Sequence, residues 1–293
     1  MAQLVHKAAW IGLGNMGVPM VKNLAENTAE VAAYNRTQNA YGDIGKAVWT
    51  DSLSVAVRNA DVVFVMVSDG HAVNEVLFAE TGVVTYASRG TIVVNMSTIG
   101  VDETKEIAGR LAEQGLLFMD APVSGSVKPA QDGSLVILAG GSQDVFDRVR
   151  PSLESMGKDV FHLGGIGSGA AMKLLMNSFL GLLMEAAGEC MGIADKAGLT
   201  RESFLQVLSK TGMWAPILKL KQPAWEQAEF PAAFALKHMT KDLGLASSFA
   251  QEISVSAPAL MSAMAMFVAA REEGYGEQDM AAVSEYIKEL SKD

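Results

Sequence analysis

The chain is poor in the residues that build several common kinds of site. Its 293 residues hold one cysteine, Cys190, which excludes an internal disulfide and a cysteine-based zinc centre. Such sparing use fits a reducing compartment, and Cys190, set in an apolar run, is expected to be a buried small hydrophobe. The four histidines, His6, His71, His162 and His238, are scattered without H-E-x-x-H or other paired-ligand spacing, so they read as structural or surface residues. No G-x-S-x-G elbow is present, which argues against a serine hydrolase. Cations are also scarce: 23 Lys+Arg against 33 Asp+Glu leave a net charge of −10, a poor basis for nucleic-acid binding. The most apolar stretch, 170–194, is interrupted by Lys173, Asn177, Glu185 and Glu189 and reads as a buried helix, with no membrane partner expected. The start, MAQLVHKAAWIGLGNMG, lacks the form of a secretory signal, and the expected location is cytoplasmic.

What the chain has is length and apolar mass. At 293 residues and 49% hydrophobic it can fill two domain cores. The first half alternates β-rich runs with helical patterns. Strands are expected at 8–11, 31–34, 47–49, 62–67, 92–95, 117–120, 135–139 and 160–162, and helices at 17–27, 53–59, 72–77, 101–114 and 143–156. The runs VVFVMV and LVILA are almost wholly apolar, as strands covered on both faces should be. The fold class is therefore α/β, an N-terminal Rossmann-type doubly wound sheet. After the glycine-rich hinge Gly164–Gly169 no strand is expected, and helical runs with breaks at Gly198, Gly212, Pro216, Pro223 and Pro231 fill the remainder. The expected domains are 1–165 for a dinucleotide and 166–293, all-helical, for substrate and oligomerisation, joined by a long helix; a cleft between them is the default ligand site.

Gly12-Leu13-Gly14-Asn15-Met16-Gly17 reads G-x-G-x-x-G between an expected strand and an expected helix. In that context the glycines allow a tight turn and close backbone approach, and the helix N-terminus faces a pyrophosphate. The second strand runs into Asn35-Arg36-Thr37, with no Asp or Glu where an NAD-preferring fold places one for the ribose hydroxyls. Arg36 offers a planar fork suited to a 2′-phosphate, and Thr37 a further donor, which predicts NADP (NADPH) over NAD. Further on, Lys173 and Asn177 stand four apart in GAAMKLLMNSF and share a helix face. There Lys173 can hand a proton to a carbonyl oxygen as hydride arrives, with Asn177 holding the lysine or the substrate; an amphipathic helix without chemistry has the same spacing.

Six ordered blocks, IGLGNMGVPMVKNL, NRT, NMST, DAPVSGSVKPAQDGSLVILAGG, GAAMKLLMN and KHMTKDLGLA, resemble the β-hydroxyacid dehydrogenases over nearly the whole chain. The fourth block is most similar to the glyoxylate/succinic semialdehyde reductase branch. The resemblance implies that Lys173 is the catalytic lysine and Asn177 its partner. It implies that Ser124, Gly125 and Ser126 hold the substrate carboxylate, and that Thr98 lies near nicotinamide and substrate. It places Met66 and Val67 over the ribose, and Phe234, Lys241 and Asp242 in a stretch that closes over the cofactor. Two departures stand out: Ser126 where many relatives have glycine, and Trp214, bulkier than expected, either in the pocket or in core or interface packing.

The expected activity is NADPH-dependent reduction of a short aldehyde acid, glyoxylate or succinic semialdehyde, with the proton from Lys173. The alternatives are a 3-hydroxyisobutyrate or tartronate semialdehyde type of dehydrogenase and, in another class, a non-catalytic NADP-binding interaction protein. The apolar helical half further suggests a homodimer or homotetramer.

Overall fold

The computed structural model describes residues 5–37 and 42–290; positions 1–4 and 291–293, the outer ends of the two expected domains, lie outside them. The chain divides into two compact units, Met1–Lys173 and Leu174–Asp293. The first unit holds β1 (Lys7–Ile11), α1 (Gly17–Asn27), β2 (Glu30–Tyr34), β3 (Val48–Thr50), α2 (Leu53–Val57), β4 (Val62–Val65), α3 (Gly70–Phe78) and α4 (Val83–Tyr86). It continues through β5 (Ile92–Asn95), α5 (Val101–Glu113), β6 (Leu117–Asp120), β7 (Val123–Ser124), α6 (Val127–Gln131), β8 (Leu135–Ala139), α7 (Gln143–Glu154) and β9 (Gly157–His162). The division between the units falls inside α8 (Ser168–Lys196).

Among the described residues the strands form two sheets. The larger has the order β3-β2-β1-β4-β5-β6, every pair parallel, which is the doubly wound dinucleotide-binding order. The smaller, β7-β8-β9, pairs β7 with β8 antiparallel and β8 with β9 parallel. A single bridge between Asp120 and Gly140 links the end of β6 to the end of β8.

Side-chain alternation along the strands splits the core of this unit into two layers. Ala8, Trp10, Phe64 and Val94 join Met20, Val21 and Leu24 of α1 and Val145, Val149 and Leu153 of α7 on one side. Ala9, Ile11, Val63, Val65 and Val93 meet Val57 of α2, Leu77 of α3 and Ile107 and Leu111 of α5 on the other. Both β4 and β5 are buried along their whole length, which fits the wholly apolar VVFV of β4 and the apolar run of β5 that closes on buried Asn95. Trp10 stacks on Phe64 with ring centroids 5.8 Å apart.

The second unit is helical. Beyond α8 it contains α9 (Arg201–Leu208), α10 (Pro216–Gln227), α11 (Leu236–Glu252), α12 (Pro258–Ala270) and α13 (Val283–Leu290). Gly188 lets α8 lie against α13, since a Cβ there would sit 3.0 Å from the Ser284 backbone; Gly192 faces open space. Pro223, expected as a break, lies inside α10. The carbonyl it leaves without a helical donor belongs to Lys219, an exposed residue, so the lost bond falls on the solvent side of the helix. Cys190, expected to be buried, is exposed, because the buried stripe of α8 runs through Ala187, Met191 and Ala194. Helix α8 has the length and hydropathy of a membrane span, but its stripe is packed and includes buried Lys173, Asn177 and Glu185.

Candidate active site

Strand register sets the site. Ile11 pairs with Val65, Val65 with Asn95, and Asn95 with Asp120, so four adjacent parallel strands end level with one another. The segments that follow them, beginning at Gly12, Met66, Met96 and Ala121, emerge along one edge. The carboxyl edge is where open α/β sheets bind ligands.

At the first of these ends Gly12 has φ +103°, and a Cβ on it would lie 2.0 Å from the Met66 carbonyl oxygen and 3.2 Å from the Val67 side chain. Gly17 is equally confined: a Cβ there would lie 2.0 Å from the Gly12 oxygen. That same oxygen accepts a 2.8 Å hydrogen bond from Trp10 Nε1, which locks the turn onto the core. Gly14 differs, with nothing within 4 Å of its Cβ direction; both it and Asn15 are exposed. The N-terminus of α1, at Met16, receives no side-chain cap. A tight turn, an open glycine and an uncapped helix start together fit the pyrophosphate of a nicotinamide dinucleotide.

The end of β2 is tied to this loop. Asn35 Oδ1 accepts from the Leu13 N–H at 3.0 Å, and Asn35 Nδ2 donates to the Thr37 carbonyl at 2.9 Å. This brings Arg36 and Thr37, both exposed, beside the glycine turn. Val67 N–H donates to Ser97 Oγ at 2.9 Å, and Ser97 N–H donates to Asn95 Oδ1 at 3.1 Å, so the Met66–Val67 segment and the turn carrying Thr98 form one network. Gly12–Gly17, Asn35–Thr37, Met66, Val67 and Thr98 are thus gathered at one edge.

The fourth end carries Asp120, which sequence reasoning missed. It is buried, with Oδ1 accepting from Gly167 N–H and Oδ2 from Ala170 N–H, both at 2.8 Å. Glycines surround it: a Cβ on Gly140 or Gly169 would fall within 3 Å of its carboxylate. Burial pushes its pKa above the ordinary carboxylate value, against the opposing pull of the Gly167 and Ala170 N–H groups. Its effect is to clamp the start of α8, where Lys173, itself buried, follows Ala170 by three residues. Beyond Asp120, Gly125 has φ +135° and a Cβ there would meet Leu135 at 2.7 Å, so the Ser124–Ser126 turn requires glycine at its centre. Ser126 begins α6 and makes no capping bond to it. The loop is held from behind by Asn23 Nδ2, which donates to the Ala130 carbonyl at 2.7 Å.

In the helical unit, Asn177 Nδ2 donates to Asp242 Oδ2 at 2.5 Å, and Lys241 Nζ lies 2.8 Å from Asp242 Oδ1. Three expected site residues therefore form one cluster, with the Asn177 amide engaged by a carboxylate. Phe234 is held through its backbone: its N–H donates to Asp279 Oδ2 at 3.1 Å and its carbonyl accepts from Met280. Asp279 also pairs with buried Lys221 at 2.8 Å. His238 stacks on Phe234, and burial, followed by the charges of Lys237 and Lys241, lowers its pKa. Trp214 is half-buried, its N–H donating to the Thr211 carbonyl at 3.3 Å.

The chain is similar to known oxidoreductases over nearly its whole length. Residues 7–164 match the model of the NAD binding domain of 6-phosphogluconate dehydrogenase. Residues 167–287 match that of the NAD-binding region of NADP-dependent 3-hydroxyisobutyrate dehydrogenase. The chain is 35% identical to glyoxylate/succinic semialdehyde reductase 1 of Arabidopsis thaliana, over 96% of this chain and 98% of that one. It is 31% identical to 2-(hydroxymethyl)glutarate dehydrogenase of Eubacterium barkeri, over 97% and 96%. The structure of Mycobacterium tuberculosis 3-hydroxyisobutyrate dehydrogenase with L-serine superposes with a TM-score of 0.86 at 29% identity, covering 98% of this chain and 100% of that one. The chain is a member of the β-hydroxyacid dehydrogenase family, an NAD(P)-dependent oxidoreductase acting on CH–OH groups.

Proposed function

We propose that this dehydrogenase works as an NADPH-dependent reductase of short aldehyde acids, with glyoxylate and succinic semialdehyde as first candidates. The observation that carries the cofactor choice is Arg36. Asn35 holds the end of β2 against the glycine turn, and the residue presented there is a guanidinium, not a carboxylate. The cofactor supplies the hydride.

The chain supplies the rest. Ser124, Gly125 and Ser126 offer hydroxyl and backbone N–H donors for a substrate carboxylate on a turn that glycine makes possible. Lys173 donates its proton to the carbonyl oxygen as negative charge develops there. Asp120 anchors the first turn of its helix, so the ammonium is placed by a buried clamp. Asn177, four residues along α8, and Lys241 are bound to Asp242, which orients them as a unit. We also assign a homo-oligomeric state. Leu175, Met176, Phe179 and Ile193 leave a run of large apolar side chains exposed on α8, a surface that a second copy would cover.

The test is NAD(P)H oxidation with a panel of aldehyde acids and matched neutral aldehydes. NADPH efficiency exceeding NADH by at least about tenfold, with acids preferred, supports the reading. Equal use of both cofactors, or equal use of acids and neutral aldehydes, contradicts it.

A further inference from the structure

Arg36 is already engaged. Its Nη1 lies 2.9 Å from Oε2 of Glu75, on α3, in a pair with no counterpart in the cofactor chemistry described so far. Helix α3 follows β4, and the end of β4 carries Met66 and Val67 against Gly12. The Glu75 carboxylate therefore stands at the ribose end of the dinucleotide site, on the cation assigned to the 2′-phosphate.

We propose that Glu75 is a specificity-determining residue that competes with the cofactor 2′-phosphate for Arg36 and so sets the ratio of NADPH to NADH binding. The proposal rests on the Arg36 reading above. With an unphosphorylated cofactor the Arg36–Glu75 pair stays intact and the ribose meets a neutralised cation. With NADPH, a phosphate carrying about two negative charges asks for the same guanidinium face, which it prefers to take through two parallel N–H bonds. Glu75 must then leave Arg36 or share it with a like-charged neighbour. Both partners are well exposed, at 78% and 49% of their side chains, so the pair opens readily and tunes affinity without blocking the site. The cost of opening an exposed pair, added to screened repulsion between carboxylate and phosphate, amounts to about three- to tenfold in affinity.

The experiment measures dissociation constants of NADPH, NADH and 2′,5′-ADP for the full chain, Glu75→Gln and Arg36→Ala, by calorimetry at low and high salt. Glutamine keeps the shape and removes the charge. Glu75→Gln is expected to tighten NADPH and 2′,5′-ADP by about three- to tenfold at low salt, to leave NADH within about twofold, and to lose much of its gain at high salt. An unchanged NADPH/NADH ratio in Glu75→Gln, while Arg36→Ala lowers it, overturns the role of Glu75 and leaves that of Arg36 standing. No change of the ratio in Arg36→Ala overturns both.

Discussion

Replacing Asp120 by asparagine separates the charge of this clamp from its shape. The carboxylate accepts two bonds at 2.8 Å, from Gly167 and Ala170 N–H, at a position only 1% exposed. An amide keeps one acceptor and turns an NH2 toward the other N–H, leaving a buried donor unsatisfied at about 1–3 kcal/mol. Part of that loss is offset, because the substitution also removes a charge that burial disfavours. The net expectation is a destabilisation of about 1–2 kcal/mol in urea unfolding at neutral pH. The pH dependence follows from the raised pKa. Asp120's contribution is complete below the ordinary value of 3.8 and is lost as pH rises through the higher folded-state value, so the gap between wild type and D120N narrows as pH rises above 3.8. Because α8 starts at this clamp, kcat should fall about 10- to 100-fold while the cofactor dissociation constant holds. A D120N protein with wild-type stability and wild-type kcat refutes the reasoning. A gap that widens with pH contradicts the burial of the charge.

Two further perturbations follow from the geometry. Gly12→Ala forces a Cβ into the Met66 carbonyl at a φ of +103° and should disrupt the fold of the turn, whereas Gly14→Ala meets nothing in the protein. Gly14→Ala should therefore keep its melting temperature and lose at least about tenfold in cofactor affinity; equal effects on both properties in the two variants would contradict the assignment of the open face to pyrophosphate. Asp279→Ala strands buried Lys221 and frees the N–H groups of Ala233 and Phe234, at a cost of about 3–5 kcal/mol in denaturant unfolding. A change below about 1 kcal/mol would show that this network is not a support of the helical unit.

Much of the first unit was legible because its signals are local. Strands 92–95, 117–120 and 135–139 and helix 17–27 coincide with their expected bounds, since apolar runs and the glycine motif define them without help from distant residues. Elements too short to show a period, β7 at two residues and α6 and α2 at five each, were missed or overextended. The allotment of 135–139 and 157–162 to a separate sheet depends on which strand each meets, information that no single segment carries. The same holds for Asp120 and Glu75: the partners of Asp120 lie 47 and 50 residues onward, and Arg36 lies 39 residues before Glu75. The available sign for Asp120 was a carboxylate closing the otherwise apolar strand LFMD in a chain rich in glycine. Cys190 was misplaced because an apolar neighbourhood was read without its phase around the helix; one step along, Met191 faces inward.

The central claim is that Lys173, held at the start of α8, delivers the proton during carbonyl reduction. Single-turnover oxidation of bound NADPH by glyoxylate and by succinic semialdehyde, in wild type and Lys173→Ala, tests it directly. The account predicts a loss of about 10²- to 10⁴-fold in the reduction rate with the NADPH dissociation constant within about twofold of wild type. A Lys173→Ala protein that reduces either aldehyde at the wild-type rate would contradict it.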